Sequence, residues 1–188
     1  MKSAKLNAFM IGVLISIFCC QPKEDLSLVK QELTTFQSEW LESGSAIRQT
    51  LDSLKNDNQI LHDLLLKMKK VKDTGTRLPA KSKAEFDSLY LSASKLKDSV
   101  GVELKNFNSL TQKWNQQKAS LNQLVTAVGS NSITVTEAQE KLSDLKNVRT
   151  SAINELNELQ RVREAYASSL KTCSTKFEKD FPKSITGV

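Results

Sequence analysis

From Leu26 onward, apolar residues recur at intervals of three and four: Leu26, Val29, Leu33, Phe36 and Trp40, then Ile47, Leu51 and Leu54, then Leu61, Leu65 and Met68. A helix places residues three and four apart on one face, so the spacing predicts one long amphipathic helix over about residues 25–73. Ser43 and Asn58 fill slots in this stripe. Ser43, Ile47 and Leu51 make two intervals of four in succession, a stutter expected to relax supercoiling locally. Gly44, beside it, weakens the helix by up to about 1 kcal/mol relative to alanine. Lysines 67, 69, 70 and 72 crowd the end of the helix, where cations meet the negative end of its dipole. Gly75 then offers a C-cap, and Pro79 forbids continuation.

A second stripe follows the linker 74–81: Phe86, Leu89, Ala93, Leu96, Val100, Leu104, Phe107, Leu110, Trp114, Leu121, Leu124 and Val128. Ser82 followed by Glu85 has the pattern of a capping box, which starts this helix at 82 and runs it to 128. Gly101 marks a place for a bend. Thr134–Glu137 and Thr136–Gln139 both fit a capping box for the third helix, expected over 135–180. Its stripe is Ala138, Leu142, Leu145, Val148, Ala152, Leu156, Leu159, Val162, Tyr166, Leu170, Cys173 and Phe177. Phe181-Pro182 stops it, and the polar tail 182–188 is expected to fray.

Three helices of about 45 residues, each roughly 65–70 Å long, joined by short connections, must run antiparallel to their neighbours. The expected fold is all-α, an elongated, coiled-coil-like antiparallel three-helix bundle over 25–181. Folding about the two turns puts Trp40, Trp114 and Val148 in one layer. Low glycine and proline content, 6 and 3 of 188 residues, favours the helical reading.

The N-terminus has a different pattern. Lys2 and Lys5 precede an apolar run from Ala8 to Cys20, and Gln21-Pro22-Lys23-Glu24-Asp25 then turns polar. The run is shorter than the roughly 20 residues a membrane-spanning helix needs. It has the n-region and h-region of an export signal. With Ile17, Phe18 and Cys19 ahead of Cys20, it resembles a bacterial lipoprotein signal with a relaxed lipobox. That resemblance covers the first 22 residues and implies a signal peptide over 1–19, cut before Cys20. It also implies covalent lipid on the Cys20 thiol, with Cys19 as the alternative, and a tether over 20–24. Two or three acyl chains would anchor the mature chain stably. Gln21 lacks the aspartate that signals inner-membrane retention in the enterobacterial pattern, so the outer membrane is the expected address.

Candidate chemistry in the body is sparse. His62 is the only histidine, so one chain cannot build a histidine cluster around a metal. Its neighbour Asp63 diverges from it by about 100° around the helix. Glycine-rich phosphate loops and nucleophile elbows are missing from the sequence. Glu137 and Glu140, and Asp52 and Asp57, read as solvated carboxylates among lysines. Cys173, the one cysteine left after processing, continues an apolar stripe and reads as buried, with an intermolecular disulfide as the alternative. The net charge of +6, or +4 without Lys2 and Lys5, is too diffuse for a nucleic-acid footprint.

The most concentrated charge is Lys67, Lys69, Lys70 and Lys72 with Arg77, at the turn expected to lie farthest from the anchor. This basic patch could meet an acidic glycan or a protein partner. The expectation is therefore a lipid-anchored envelope protein, without enzymatic activity, cofactor or small-molecule substrate, whose helices act as a spacer, scaffold or adhesion module. The competing expectation is an accessory coiled-coil subunit of an envelope or export assembly. Asn58 in a core slot would then set register with partner helices.

Overall fold

In the computed structural model, which describes residues 25–73 and 78–181, three helices pack against one another: α1 (Ser27–Asp73), α2 (Ala80–Gly129) and α3 (Val135–Asp180). No strand occurs among the described residues. The fold is the expected up-down-up bundle. Gly75 and the segments expected to form the signal peptide (1–19), the tether (20–24) and the tail (182–188) fall outside the described residues.

Contacts at each end show the topology. At one end Lys30 Nζ, near the start of α1, donates to Asn131 Oδ1 in the α2–α3 turn at 3.0 Å. At the other, Lys72 lies over the Tyr90 ring, 5.3 Å from its centroid, joining the end of α1 to the start of α2. Phe86 of α2 meets Phe181, just past α3, edge to face at 5.4 Å. The first and third helices therefore run parallel, with α2 antiparallel to both.

The core keeps a strict three-four alternation. On α1 it runs Leu26, Val29, Leu33, Phe36, Trp40, Ser43, Ile47, Thr50, Leu54, Asp57, Leu61, Leu64, Met68 and Val71, all buried. The expected stutter is therefore absent: the frame passes through Thr50, and Leu51 is buried beside it. The polar residue in the following slot is Asp57, not Asn58, which is half-buried. Leu64 takes the place expected for Leu65. All three corrections share a cause. Polar side chains occupy three alternate core positions, Ser43, Thr50 and Asp57, and apolar neighbours draw the stripe off its frame.

The start of α2 differs from expectation in its capping. α2 starts at Ala80, with Pro79 as its N-cap and no side-chain capping bond, so Ser82 and Glu85 form no capping box. Pro79 has no N–H to satisfy and presets the chain for a helix start two residues earlier. α3 does carry a capping box. Thr134 Oγ1 accepts from the Glu137 N–H at 3.2 Å, and Glu137 Oε2 accepts from the Thr134 N–H at 3.2 Å. The Thr134 N–H, and after it the Thr134 hydroxyl donating to Glu137 Oε2 at 3.0 Å, hold the Glu137 carboxyl below its ordinary pKa. A depressed carboxylate pKa means the contribution is present at neutral pH and is lost as pH falls through the folded-state value.

The α2–α3 turn closes on Asn131, in the left-handed region at φ 52°. Asn131 N–H donates to Val128 O and Ser132 N–H to Ala127 O, at 3.3 and 2.9 Å, the pattern of a Schellman cap. Asparagine tolerates this conformation where a branched or larger side chain does not. Asn131→Ala is expected to cost about 1–2 kcal/mol, and Asn131→Gly to cost little beyond the Lys30 contact. Urea unfolding of the two variants checks this.

Candidate functional site

The described part of the molecule offers three places where function could reside: the seam between α1 and α3, the aromatic layer at Trp40, and the basic end.

At the α1–α3 seam the buried polar residues of α1 recur every seven positions: Ser43, Thr50 and Asp57. An α3 side chain answers each one. Arg149 Nε donates to Ser43 Oγ at 3.0 Å, and its guanidinium pairs with Glu39 at 3.2 Å. Gln160 Nε2 donates to Thr50 Oγ1 at 3.1 Å. Arg163 Nε donates to Asp57 Oδ2 at 3.0 Å. Lys146 pairs with Glu32 nearer the start of both helices. Arg149 and Arg163 stand in the three-four frame of α3 beside Val148 and Val162, and all four are half-buried. The long aliphatic stems of arginine can fill a core slot while the head reaches a polar partner. Asp57, expected in solvent, is buried and paired. Sequence reasoning missed this ladder, although its signal was there: polar residues seven apart on α1, arginines fourteen apart on α3.

Trp40 and Trp114 stack at 3.9 Å between centroids and 18° between planes, so two members of the expected layer meet. The α3 residue that reaches this level is Arg149, while Val148 lines a neighbouring groove with Gln117 and Leu124. Gly44 is part of the layer. A Cβ there would sit 2.8 Å from Trp114 Nε1. Its missing side chain is the slot into which the indole fits, which is why a helix-weakening residue stands in mid-helix.

The basic end gathers Lys67, Lys69, Lys70 and Lys72 from α1, all exposed; Arg77 lies outside the described residues. The fold adds exposed Lys81 and Lys83 from α2, and Lys171, Lys176 and Lys179 from α3. Six carboxylates share those turns: Asp63, Asp73, Glu85, Asp87, Glu178 and Asp180. The nine lysines therefore outnumber the acids. The six ion pairs of Lys55, Lys113, Lys146, Arg149, Arg161 and Arg163 lie along the body of the rod. Lys72 is held over Tyr90.

Other candidate groups are structural. His62 is exposed on α1, and its Nδ1 accepts from Lys97 Nζ of α2 at 2.9 Å. Asp63 instead accepts from Gln59 Nε2 at 3.0 Å. Asp52 pairs with Lys55 on the surface of the same helix. Glu140 is exposed. Cys173 is buried in the core stripe, and burial pushes its thiol pKa up, away from the reactive thiolate. Among the described residues, no group of three or more His, Cys, Asp or Glu side chains is placed to hold a metal ion. No described helix is long and apolar enough to cross a membrane. Cys20 and Cys19 lie outside the described residues.

Comparison of the chain with protein-family models, curated proteins and solved structures returns no match.

Proposed function

We propose that this protein is a lipid-anchored lipoprotein of the bacterial cell envelope, attached through Cys20 and destined for the outer membrane. In this reading its bundle is a non-enzymatic spacer and binding module that carries a basic end away from the membrane. One observation carries the proposal: a lipobox-like leader ends at Cys20, and the first helix begins only seven residues later, at Ser27. A tether that short would stand the bundle almost directly on its anchor. At 1.5 Å per residue, a 47-residue α1 would then carry its last lysines about 70 Å outward. The lysine excess at that end supports an acidic partner, either a polyanionic glycan or an acidic protein face.

The accessory-subunit reading loses its main support. Asn58 is not a core residue, and the polar slots of α1 are filled from within the chain. No partner helix is needed to satisfy them.

Neutralising Lys69, Lys70, Lys72 and Arg77 together to glutamine tests the binding role. The variant is expected to elute from a heparin column at clearly lower salt than the parent, because exposed charges bind through screened, salt-sensitive attraction. Its unfolding curve should barely move. Elution at the same salt would reject the basic end as a contact surface.

A further inference from the structure

The groove beside the tryptophan stack has features that core packing alone does not require. It runs between α1 and α2 over about 300 Å³, with Trp40, Gly44 and Trp114 in its floor and Leu41, Arg48 and Lys118 on its rims. The absent side chain of Gly44 lets the Trp114 indole edge come up to the α1 backbone and form part of the floor. Trp40 Nε1 is buried with no hydrogen-bond partner, a costly state for a polar group. Leu41 is 66% exposed at the rim, one of the most exposed large apolar residues described. Arg48 and Lys118 are both exposed, and neither belongs to any of the six ion pairs.

Shape and charge narrow the occupant. Small ligands gain affinity where most of their surface is enclosed. This groove lies open along two helices, so an occupant must also touch surface beyond it, as a polypeptide does. An amphipathic helix laid in a groove supplies apolar anchors at helical spacing. Two cations flanking an apolar floor ask for carboxylates beside those anchors. We propose that this groove docks an acidic amphipathic helix of a partner protein, with an apolar side chain against Leu41 and the Trp114 ring and a carboxylate between Arg48 and Lys118. The proposal is independent of the lipid anchor and of the basic end.

The chain has two tryptophans, and both line the groove, so tryptophan emission reports this site alone. The full-length chain in detergent would be titrated with a synthetic amphipathic Glu/Leu peptide, its Lys/Leu counterpart and sodium decanoate. The Glu/Leu peptide should change the emission saturably, and the Lys/Leu peptide should not. Arg48→Glu combined with Lys118→Glu should weaken the response about tenfold or more, since like charges now face the carboxylates, with the unfolding midpoint unchanged. Three results would each overturn the proposal: no response to the Glu/Leu peptide, equal binding of both peptides, or insensitivity to the charge reversal. Equal saturation by decanoate would replace it with a site for small anionic amphiphiles.

Discussion

Trp114→Ala is expected to destabilise the bundle by about 3–5 kcal/mol, the range for deleting a large buried aromatic side chain. The ring is buried, stacks on Trp40 and fills the slot at Gly44, so its loss leaves a void that two rigid helices cannot close. Two glycine substitutions separate this packing effect from helix propensity. Both Gly44 and Gly101 lie inside helices, and alanine is favoured over glycine there by up to about 1 kcal/mol. At Gly101 nothing lies within 4 Å of an added Cβ, so Gly101→Ala should stabilise. At Gly44 the added Cβ meets Trp114 Nε1, and moving the ring disturbs the stack. Gly44→Ala should therefore destabilise by about 1–2 kcal/mol despite its propensity gain. Urea midpoints moving in opposite directions would confirm the slot; both rising would remove it.

Asp57→Ala should cost about 2–3 kcal/mol, somewhat below the usual range for breaking a buried pair. The reduction follows from partial solvent access: the Asp57 and Arg163 side chains are 12% and 29% exposed. The loss arises because Arg163 remains in a core slot without its carboxylate. Replacing both residues by leucine should restore most of the stability or exceed the parent, since apolar packing often matches a buried ion pair. That outcome would show the pair acting on alignment rather than on net stability. Arg149 and Arg163 can meet Ser43 and Asp57 only when α1 and α3 are parallel and in one register. An apolar seam would accept slipped alternatives. If the double leucine variant were as unstable as Asp57→Ala, the pair would instead be a net source of stability.

The fold was largely legible in the sequence because its information is periodic. Long stripes such as Phe86–Val128 specify helices whatever their exact ends, and short connections leave few topologies. Even the pairing of Trp40 with Trp114 followed from folding about the first turn. Errors gathered where polar residues hold core positions. Thr50, Asp57, Arg149 and Arg163 look like surface residues when hydrophobicity alone sets the frame, so Asn58, Val148 and Val162 enter the expected stripe in place of the last three, while Leu51 is buried beside Thr50. The Ser82 capping pattern failed because Pro79 starts α2 earlier. Gly44 read as a local weakness because its purpose depends on a side chain 70 positions away. The basic lysines of α1 were legible as a cluster. Those of α2 and α3 join them only through the fold.

The proposed function rests on lipid attachment at Cys20. The direct measurement is metabolic labelling of the chain with an alkyne-bearing fatty acid in the cells that make it, comparing the parent with Cys20→Ala. The parent should carry the label and run at the size expected after cleavage before Cys20. Cys20→Ala should carry none and remain as the uncut precursor. Equal labelling of Cys20→Ala, or an unlabelled parent, would contradict lipid attachment at Cys20 and the membrane-anchored role built upon it.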